Sequence, residues 1–470
     1  MSLTRRAFLA HTAGAYVVRA FPGRQSVREG SRSTGRAQAS GSAQPVPSPS
    51  QLTWQRDELA LFLHFGVNTF TDREWGDGNE SPSIFNPSAL DARQWARAGR
   101  AAGARAMILT AKHHDGFCLW PTRTTDHSVA SSPFRGGHGD VVREFVDACH
   151  AEGLKPGVYL SPWDRHEPRY GDSPAYNDFY CDQLTELLTR YGPVHEVWFD
   201  GANGEGPNGK KQAYDWPRVW ALVRTLQPQA VMFSDAGPDV RWIGNERGIA
   251  GDPNWSTVNP DVVTFPGASG PQVTPMLQHG DPAGTVWRPG ESDVSIRPGW
   301  FYHPAEDARV RSVDDLVALY FSSVGRNSKL LLNVPPTRDG VLHDIDVSRL
   351  TGMRVALDRM RASDATAGAR VRPEEPGAPP PGRLVELRHA AAVSVAELRE
   401  DIAHGQVVAR YRLEGRASPN AEWRTLSTGT TIGHCKLDRF PSTAIREARV
   451  TILDAVVSRL PPTLRLFAAP

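Results

Sequence analysis

The sequence predicts an α/β architecture, a (β/α)8-type barrel followed by a small antiparallel β-sandwich, and three observations predict it. From residue 59 onward, short runs that are apolar at nearly every position alternate with amphipathic stretches, the pattern of parallel strands covered by helices. Polar residues collect at or just beyond the C-terminal ends of these runs, where a barrel builds its site. A Pro/Gly/Ala-rich stretch then separates this region from segments of alternating polarity, which read as antiparallel strands.

Taken in chain order, "MSLTRRAFLAHTAGAYVVRAF" places adjacent Arg5 and Arg6 before a short apolar stretch. It is similar to a twin-arginine export signal, and so predicts a protein exported to the bacterial periplasm or secreted. The apolar stretch is too short to span a bilayer, so no stable membrane insertion is expected. Residues 1–50 are assigned to this signal and a linker, and 51–362 to the barrel. Its strands are "LFLHFGV", "ARAMILTAK", "LKPGVYLS", "EVWFDG", "AVMFSD" and "SKLLLNV", which leaves two of the eight to be placed in the irregular stretch 236–312. Between them, Val141, Val142, Phe145, Val146 and Cys149 recur at helical spacing, as do Phe179, Tyr180, Leu184, Leu187, Leu188 and Tyr191. An open doubly wound sheet would fit the alternation too, but no glycine-rich nucleotide loop follows any strand. Residues 363–383 form the predicted interdomain linker, and 384–470 the sandwich, with "VVARYRLEG", "EWRTLS" and "EARVTIL" among its strands.

Lys+Arg 53 against Asp+Glu 52 leaves a formal charge of +1. No global field then draws the chain to nucleic acid or an anionic membrane surface. Cys118, Cys149, Cys181 and Cys435 form no CxxC pair, which argues against a structural zinc site and a disulfide scaffold.

The chemistry sits at the strand ends. In "AKHHDGFCLW", His113, His114 and Asp115 follow a strand. Successive side chains there point to opposite sides, so they converge poorly on one metal ion but serve well as hydrogen-bonding groups for a polar ligand. Aromatic residues accompany the polar ones: Phe65 beside His64, Trp75 beside Glu74, Tyr159 and Trp163 beside Asp164, Trp198 and Phe199 beside Asp200. Aromatic faces interleaved with carboxylates and imidazoles suit a sugar, whose C–H faces stack while its hydroxyls need directed hydrogen bonds. Glycoside hydrolysis needs two carboxyls. Asp200, fixed at a strand end, can be one; Glu246 in "RWIGNERG" and Glu291 in "RPGESDVSIRPGWFYHP" are the alternatives for the other, both expected on loops.

The motifs "LHFGVNTFTDREWGDG", "AKHHDGFCLWPT", "GVYLSPWDRH", "EVWFDGANG", "RWIGNERG" and "DVSIRPGWFYHP" together resemble the α-L-fucosidases of glycoside hydrolase family 29, over roughly residues 52–360. The resemblance implies a retaining mechanism without metal or organic cofactor, acting on a fucosylated glycan. It implies Asp200 as nucleophile and a fucose pocket lined by His64, Glu74, Trp75, His113, His114, Tyr159 and Trp198. "RWIGNERG" looks like the acid/base segment of the subgroup that cleaves α-1,3 and α-1,4 branches, which implies Glu246 as acid/base, Glu291 as runner-up, and Arg297 and Trp300 as further contacts. A metal-dependent barrel hydrolase using the His-His-Asp cluster and a non-catalytic fucose-binding barrel are the competing readings.

Overall fold

The computed structural model describes residues 44–373, 382–457 and 461–469. The predicted export signal, through residue 43, and residues 374–381 of the predicted linker lie outside the described residues. Eight parallel strands build the first region: β1 Leu59–Leu63, β2 Ala106–Lys112, β3 Lys155–Leu160, β4 Glu196–Trp198, β5 Val231–Phe233, β6 Arg241–Trp242, β9 Gly290–Ser295 and β10 Ser328–Asn333. A short antiparallel ribbon, β7 Thr257–Val258 with β8 Val286–Trp287, interrupts the series. The barrel strands pair in the order β5-β4-β3-β2-β1-β10-β9-β6, and a parallel bridge between Phe233 and Val240 brings β5 against the segment entering β6. The two strands that sequence left in 236–312 are thus β6 and β9.

Why β9 escapes sequence inspection is plain from its residues. "GESDVS" is polar, yet every one of its six residues is buried, because three of them point into the barrel rather than against the helices. Strand periodicity of two governs the interior throughout. Leu59, Leu61 and Leu63 join the outer core under the helices, while Ala60 and Phe62 join the inner one. Val197 and Phe199 face outward, and Trp198 inward. The covering helices include Ala92–Ala102, Val141–Ala151, Ser173–Arg190, Trp216–Leu226, Val313–Ser322 and Asp344–Ala362. Four begin with an Asp or Ser that caps a backbone N–H three residues on: Asp91 to Gln94, Asp140 to Arg143, Asp215 to Arg218 and Ser312 to Asp315.

Charged groups hold the floor of the barrel. Lys329 on β10 reaches Glu196 on β4 at 3.0 Å and lies 3.8 Å from Glu291 on β9, all three fully buried. Glu196 also accepts from the indole N–H of Trp54 at 2.8 Å. Burial, reinforced by the charge of Glu196, pushes the Glu291 carboxyl well above its ordinary range. Glu291 is therefore the neutral member of the trio, and Lys329 balances one negative charge.

The second region is a six-stranded antiparallel sheet, β11 Arg370–Pro373, β12 Arg383–Arg399, β13 Val408–Arg416, β14 Arg424–Gly429, β15 Lys436–Ala455 and β16 Thr463–Phe467, in the order β11-β12-β15-β13-β14 with β16 beside β12. Register shifts between Glu386 and Ala391 and between Val393 and Val395 interrupt the β12–β15 pairing, as bulges that bend a strand do. The sheet closes on a core of its own that includes Val393, Leu398, Tyr411, Leu413, Ile445 and Leu466. It grips the barrel through backbone: Leu437 N–H donates to Gly325 O at 3.0 Å and Asn327 N–H to Cys435 O at 2.9 Å. Beside this seam, Glu58 takes Arg399 at 2.7 Å, the Tyr320 hydroxyl at 2.6 Å and His434 at 3.3 Å. Burial opposes the Glu58 charge, but these partners hold its carboxyl well below the usual carboxylate range. All four cysteines are free and buried, and no helix among the described residues is long and apolar enough to cross a membrane.

Replacing Lys329 with Met removes the counter-charge of a buried carboxylate. Stability should fall by about 3–5 kcal/mol, read as a lower urea midpoint in tryptophan fluorescence. A Lys329→Met protein with the wild-type midpoint would contradict a charged floor.

Candidate active site

The C-terminal strand ends open into one cavity of about 1020 Å³, at the upper end of the roughly 300–1,000 Å³ usual for ligand sites. Its walls include His64, Glu74, Trp75, His113, His114, Tyr159, Trp198 and Trp300 together with Asp200 and Glu246. Asp200 reaches it through the same alternation that faces Glu196 and Trp198 inward. The side chain is held rather than mobile: Oδ1 accepts from the Ala202 N–H at 2.8 Å, and Oδ2 from the Tyr159 hydroxyl at 3.2 Å. The glycine after it is required by close approach. A Cβ on Gly201 would lie 2.5 Å from Asp235 Oδ2 and 2.7 Å from the Gly267 nitrogen. That nitrogen donates to Asp235 Oδ2 at 2.9 Å, so the wall formed by residues 265–270 is docked against the Asp200 turn.

The imidazoles have assignable roles. Asn333 donates its amide to Ser295 Oγ at 2.9 Å and Trp300 O at 2.8 Å, so its Oδ1 is the acceptor 2.8 Å from His64 Nδ1. His64 Nδ1 consequently carries a proton and donates it to Asn333 Oδ1. Ser161 donates to Trp163 O at 2.6 Å and thus accepts from His114 Nδ1 at 2.7 Å. His113 and His114 lie 4.0 Å apart, centroid to centroid, and His113 stacks at 6.0 Å on Tyr159. Beneath them Asp115, buried and bonded to Asn68 Nδ2 at 3.0 Å, is pushed up to about 7 by its burial. Among the described residues no group of three or more His, Cys, Asp and Glu could hold a metal ion.

Glu74 has a second engagement besides the cavity. It accepts from the N–H groups of Trp300 at 2.9 Å and Phe301 at 3.1 Å, and from His303 Nε2 at 2.7 Å. His303 Nδ1 donates in turn to Asp72 at 2.8 Å. The Glu74 hydrogen bond, with the second from Asp72, raises His303 to about 9, so at neutral pH it is a cation that clips the Trp300 loop to the Glu74 loop. Trp198 stacks on Phe233 at 4.1 Å and donates its indole N–H to Glu291 at 2.9 Å.

Two expected positions are corrected by the structure. Glu291 lies not on a loop over the substrate but on β9, fully buried in the barrel floor and absent from the cavity wall; its carboxyl supports Trp198 from below. Arg297, expected as a contact, is also off the cavity: its guanidinium is buried, bonded to Asp346 at 2.8 Å and Asp307 at 2.8 Å. Conversely, Asp293, Trp242 and Phe265 line the cavity without having been singled out. Asp293 takes the Trp242 indole N–H at 2.7 Å. It follows Glu291 by two residues and so shares its inward face, a signal available only once β9 is known to be a strand. Phe265 is 54 % exposed at the rim, and nothing in its local pattern distinguishes it from a loop residue.

Comparison with known proteins gives one answer throughout. The sequence profile of the family described as Alpha-L-fucosidase matches residues 40–359. Alpha-L-fucosidase 1 of Arabidopsis thaliana is 44% identical over 422 residues, covering 84% of this chain and 82% of the relative. Among solved structures, a glycoside hydrolase 29 family member from an unknown rumen bacterium superposes with a TM-score of 0.84 at 40% identity, over 91% of this chain and 78% of the other. A GH29 fucosidase of Ruminococcus gnavus in complex with fucose has a TM-score of 0.82 at 31% identity, over 93% of this chain and 97% of the other.

The His303 clip sets a pH window. Its folded value, about 9, lies above the ordinary 6.5, so its stabilisation is fully present below about pH 6.5 and is lost as pH rises through about 9. The thermal midpoint of the native protein should exceed that of His303→Gln at pH 6, with the gap closing by pH 10. A gap independent of pH would mean that His303 is not a cation here.

Proposed function

Because the chain belongs to the alpha-L-fucosidase family, we propose that its cavity is the centre of a retaining exo-α-L-fucosidase with Asp200 as nucleophile and Glu246 as acid/base. The observation that carries this reading is that both carboxyls line one cavity otherwise walled by imidazoles and indoles. They arrive there differently, Asp200 on a strand end and Glu246 on the segment that follows β6. That division suits the chemistry, in which the nucleophile must be fixed and the acid must reach the leaving group from the side.

In the first step an Asp200 carboxylate oxygen attacks the anomeric carbon of fucose. The bond from that carbon to the glycosidic oxygen breaks, and its electron pair leaves on that oxygen, which takes the Glu246 proton. The product is a fucosyl ester on Asp200 and a free aglycone. In the second step Glu246, now a carboxylate, removes a proton from water as the water oxygen attacks the same carbon. The ester bond breaks, L-fucose leaves, and both carboxyls return to their starting states. Asp200 must be ionised for the first step, and the Tyr159 hydroxyl and Ala202 N–H it accepts favour that form. Trp75, Trp198 and Trp300 offer apolar surface for the 6-methyl group of fucose, while His64, His113 and His114 offer hydrogen bonds to its hydroxyls.

The substrate class proposed is a fucosylated glycan with α-1,3 or α-1,4 branches. Support comes from the "RWIGNERG" segment and from a cavity with room beyond one sugar, whose lining also includes Phe265, Tyr214 and Lys211. Export by a twin-arginine route remains part of the proposal on the strength of the N-terminal "TRRAFL" sequence.

Asp200→Ala should abolish hydrolysis of an aryl α-L-fucoside with the circular dichroism of the native fold retained; near-normal turnover would defeat the assignment. Glu246→Ala should lose about 10²–10⁴-fold on substrates whose leaving group needs a proton, far less on 2,4-dinitrophenyl fucoside, and recover rate with azide. For the linkage, a Lewis-type trisaccharide should release fucose much faster than an α-1,2-fucosylated one. The reverse order would move the enzyme out of the α-1,3/1,4 class.

A further inference from the structure

Glu246 sits on a segment, residues 243–256, whose far end is held by the other domain. From β6 the chain makes a tight turn closed by Asn245, whose amide donates to Ile249 O at 2.9 Å. Helix Val313–Ser322 then catches it: Ala250 N–H donates to Ser322 O at 2.9 Å, and Ser322 Oγ to Gly248 O at 3.1 Å. Beyond this point the partners belong to the C-terminal sheet. Asp252 pairs with Lys436 at 2.6 Å and accepts from Thr430. Asn254 N–H donates to Thr431 Oγ1 at 2.8 Å. Gln406, wholly buried, accepts from Ser256 N–H at 2.7 Å and donates to Asn254 O at 3.0 Å.

The network loops back to the barrel. Asn254 Oδ1 accepts from Arg241 of β6 at 2.7 Å, and its amide donates to Arg326 O at 2.7 Å. Arg326 donates to Ala250 O at 3.0 Å while forming a backbone bridge with Lys436. Asn327 reaches Asn254 O and Gln406 Oε1, each at 3.1 Å. Residues on both sides of the Glu246 turn are thus tied into one buried hydrogen-bonded unit whose outer half is the sheet domain.

We propose that the C-terminal sheet domain is a positioning element for the acid/base. Through Gln406, Thr431 and Lys436 it fixes the 252–256 end of the segment, and so sets where the Glu246 carboxyl stands over the leaving group. The proposal rests on Glu246 being the acid/base, as argued above. None of the three residues lines the cavity, so they act through Glu246 and not on the sugar. The nucleophile, carried by β4 and bonded to β3 and its own turn, does not depend on this anchorage.

That asymmetry gives the test. A displaced acid slows departure of poor leaving groups and leaves good ones nearly untouched, whereas general destabilisation slows both alike. Gln406→Leu and Lys436→Met should each lower kcat/KM on phenyl α-L-fucoside by about 10-fold or more and on 2,4-dinitrophenyl α-L-fucoside by less than about 2-fold. Leu413→Ala, in the sheet core away from the seam, controls for stability and should lower Tm without that split. Thr431→Val, which removes a single contact, serves if either larger change prevents folding. Equal losses on both substrates, or none, would overturn the proposal. Glu246→Ala measured in parallel separates the two levels: if it shows the split and the seam variants do not, only the positioning role falls; if it shows no split, the acid/base assignment falls and takes the positioning role with it.

Discussion

One buried lysine organises the barrel on which the cavity stands. Lys329 draws Glu196 and the neutral Glu291 together across the floor, joining the neighbouring strands β9 and β10 to the distant β4. A barrel interior this narrow has to be filled by side chains, and a charge there is tolerable only when paired. The pairing has a consequence one layer up. Glu291, relieved of its charge, still presents an acceptor to the Trp198 indole, and Glu196, Trp198 and Asp200 rise in sequence along the same inward face of one strand. The floor, the indole wall and the candidate nucleophile are three successive levels of a single column.

The same layering explains why neighbouring side chains with similar chemistry have different duties. Glu74 and Asp200 are both carboxyls on the cavity, but Glu74 spends its oxygens on two backbone N–H groups and a cationic His303, an arrangement that shapes the Trp300 loop. Asp200 accepts from a phenol and from an N–H of its own turn, which fix it at the cavity wall. Arg297 illustrates the opposite outcome. Its motif lies beside Trp300 in sequence, yet two aspartates draw its guanidinium away from the cavity into the barrel wall.

Most of the barrel was legible because its strands are apolar on both faces, and a run such as "LFLHFGV" has few other places to go. The strand ends carrying His64, His113, His114 and Asp200 were legible for the same reason: the end of an apolar run marks the mouth. What stayed hidden was hidden by polarity. β9, "GESDVS", reads as loop because its inward residues Glu291, Asp293 and Ser295 are polar and find specific partners in the interior, and with the strand unrecognised, Glu291 is expected on a loop and Asp293 goes unnoticed. Phe265 is a different case, since its place at the rim depends on the docking of Gly267 against Gly201, a contact between residues 66 positions apart that no local pattern encodes.

Mounting the two carboxyls on different supports has a physical logic. A nucleophile needs one position relative to the anomeric carbon in both steps, and a strand end in a packed barrel supplies it at no cost in adaptability. An acid that later serves as base has to meet first a glycosidic oxygen and then a water at nearly the same place, so its backbone must be held while its side chain keeps some freedom. The turn after β6 is closed by Asn245 and is caught at Gly248 and Ala250 by helix Val313–Ser322. The sheet domain holds the chain just beyond, at Asp252, Asn254 and Ser256, from a surface with its own core. With Glu246 as the proposed acid/base, a second domain that has no side chain among the cavity-lining residues would contribute the position of a proton donor rather than a contact with the sugar.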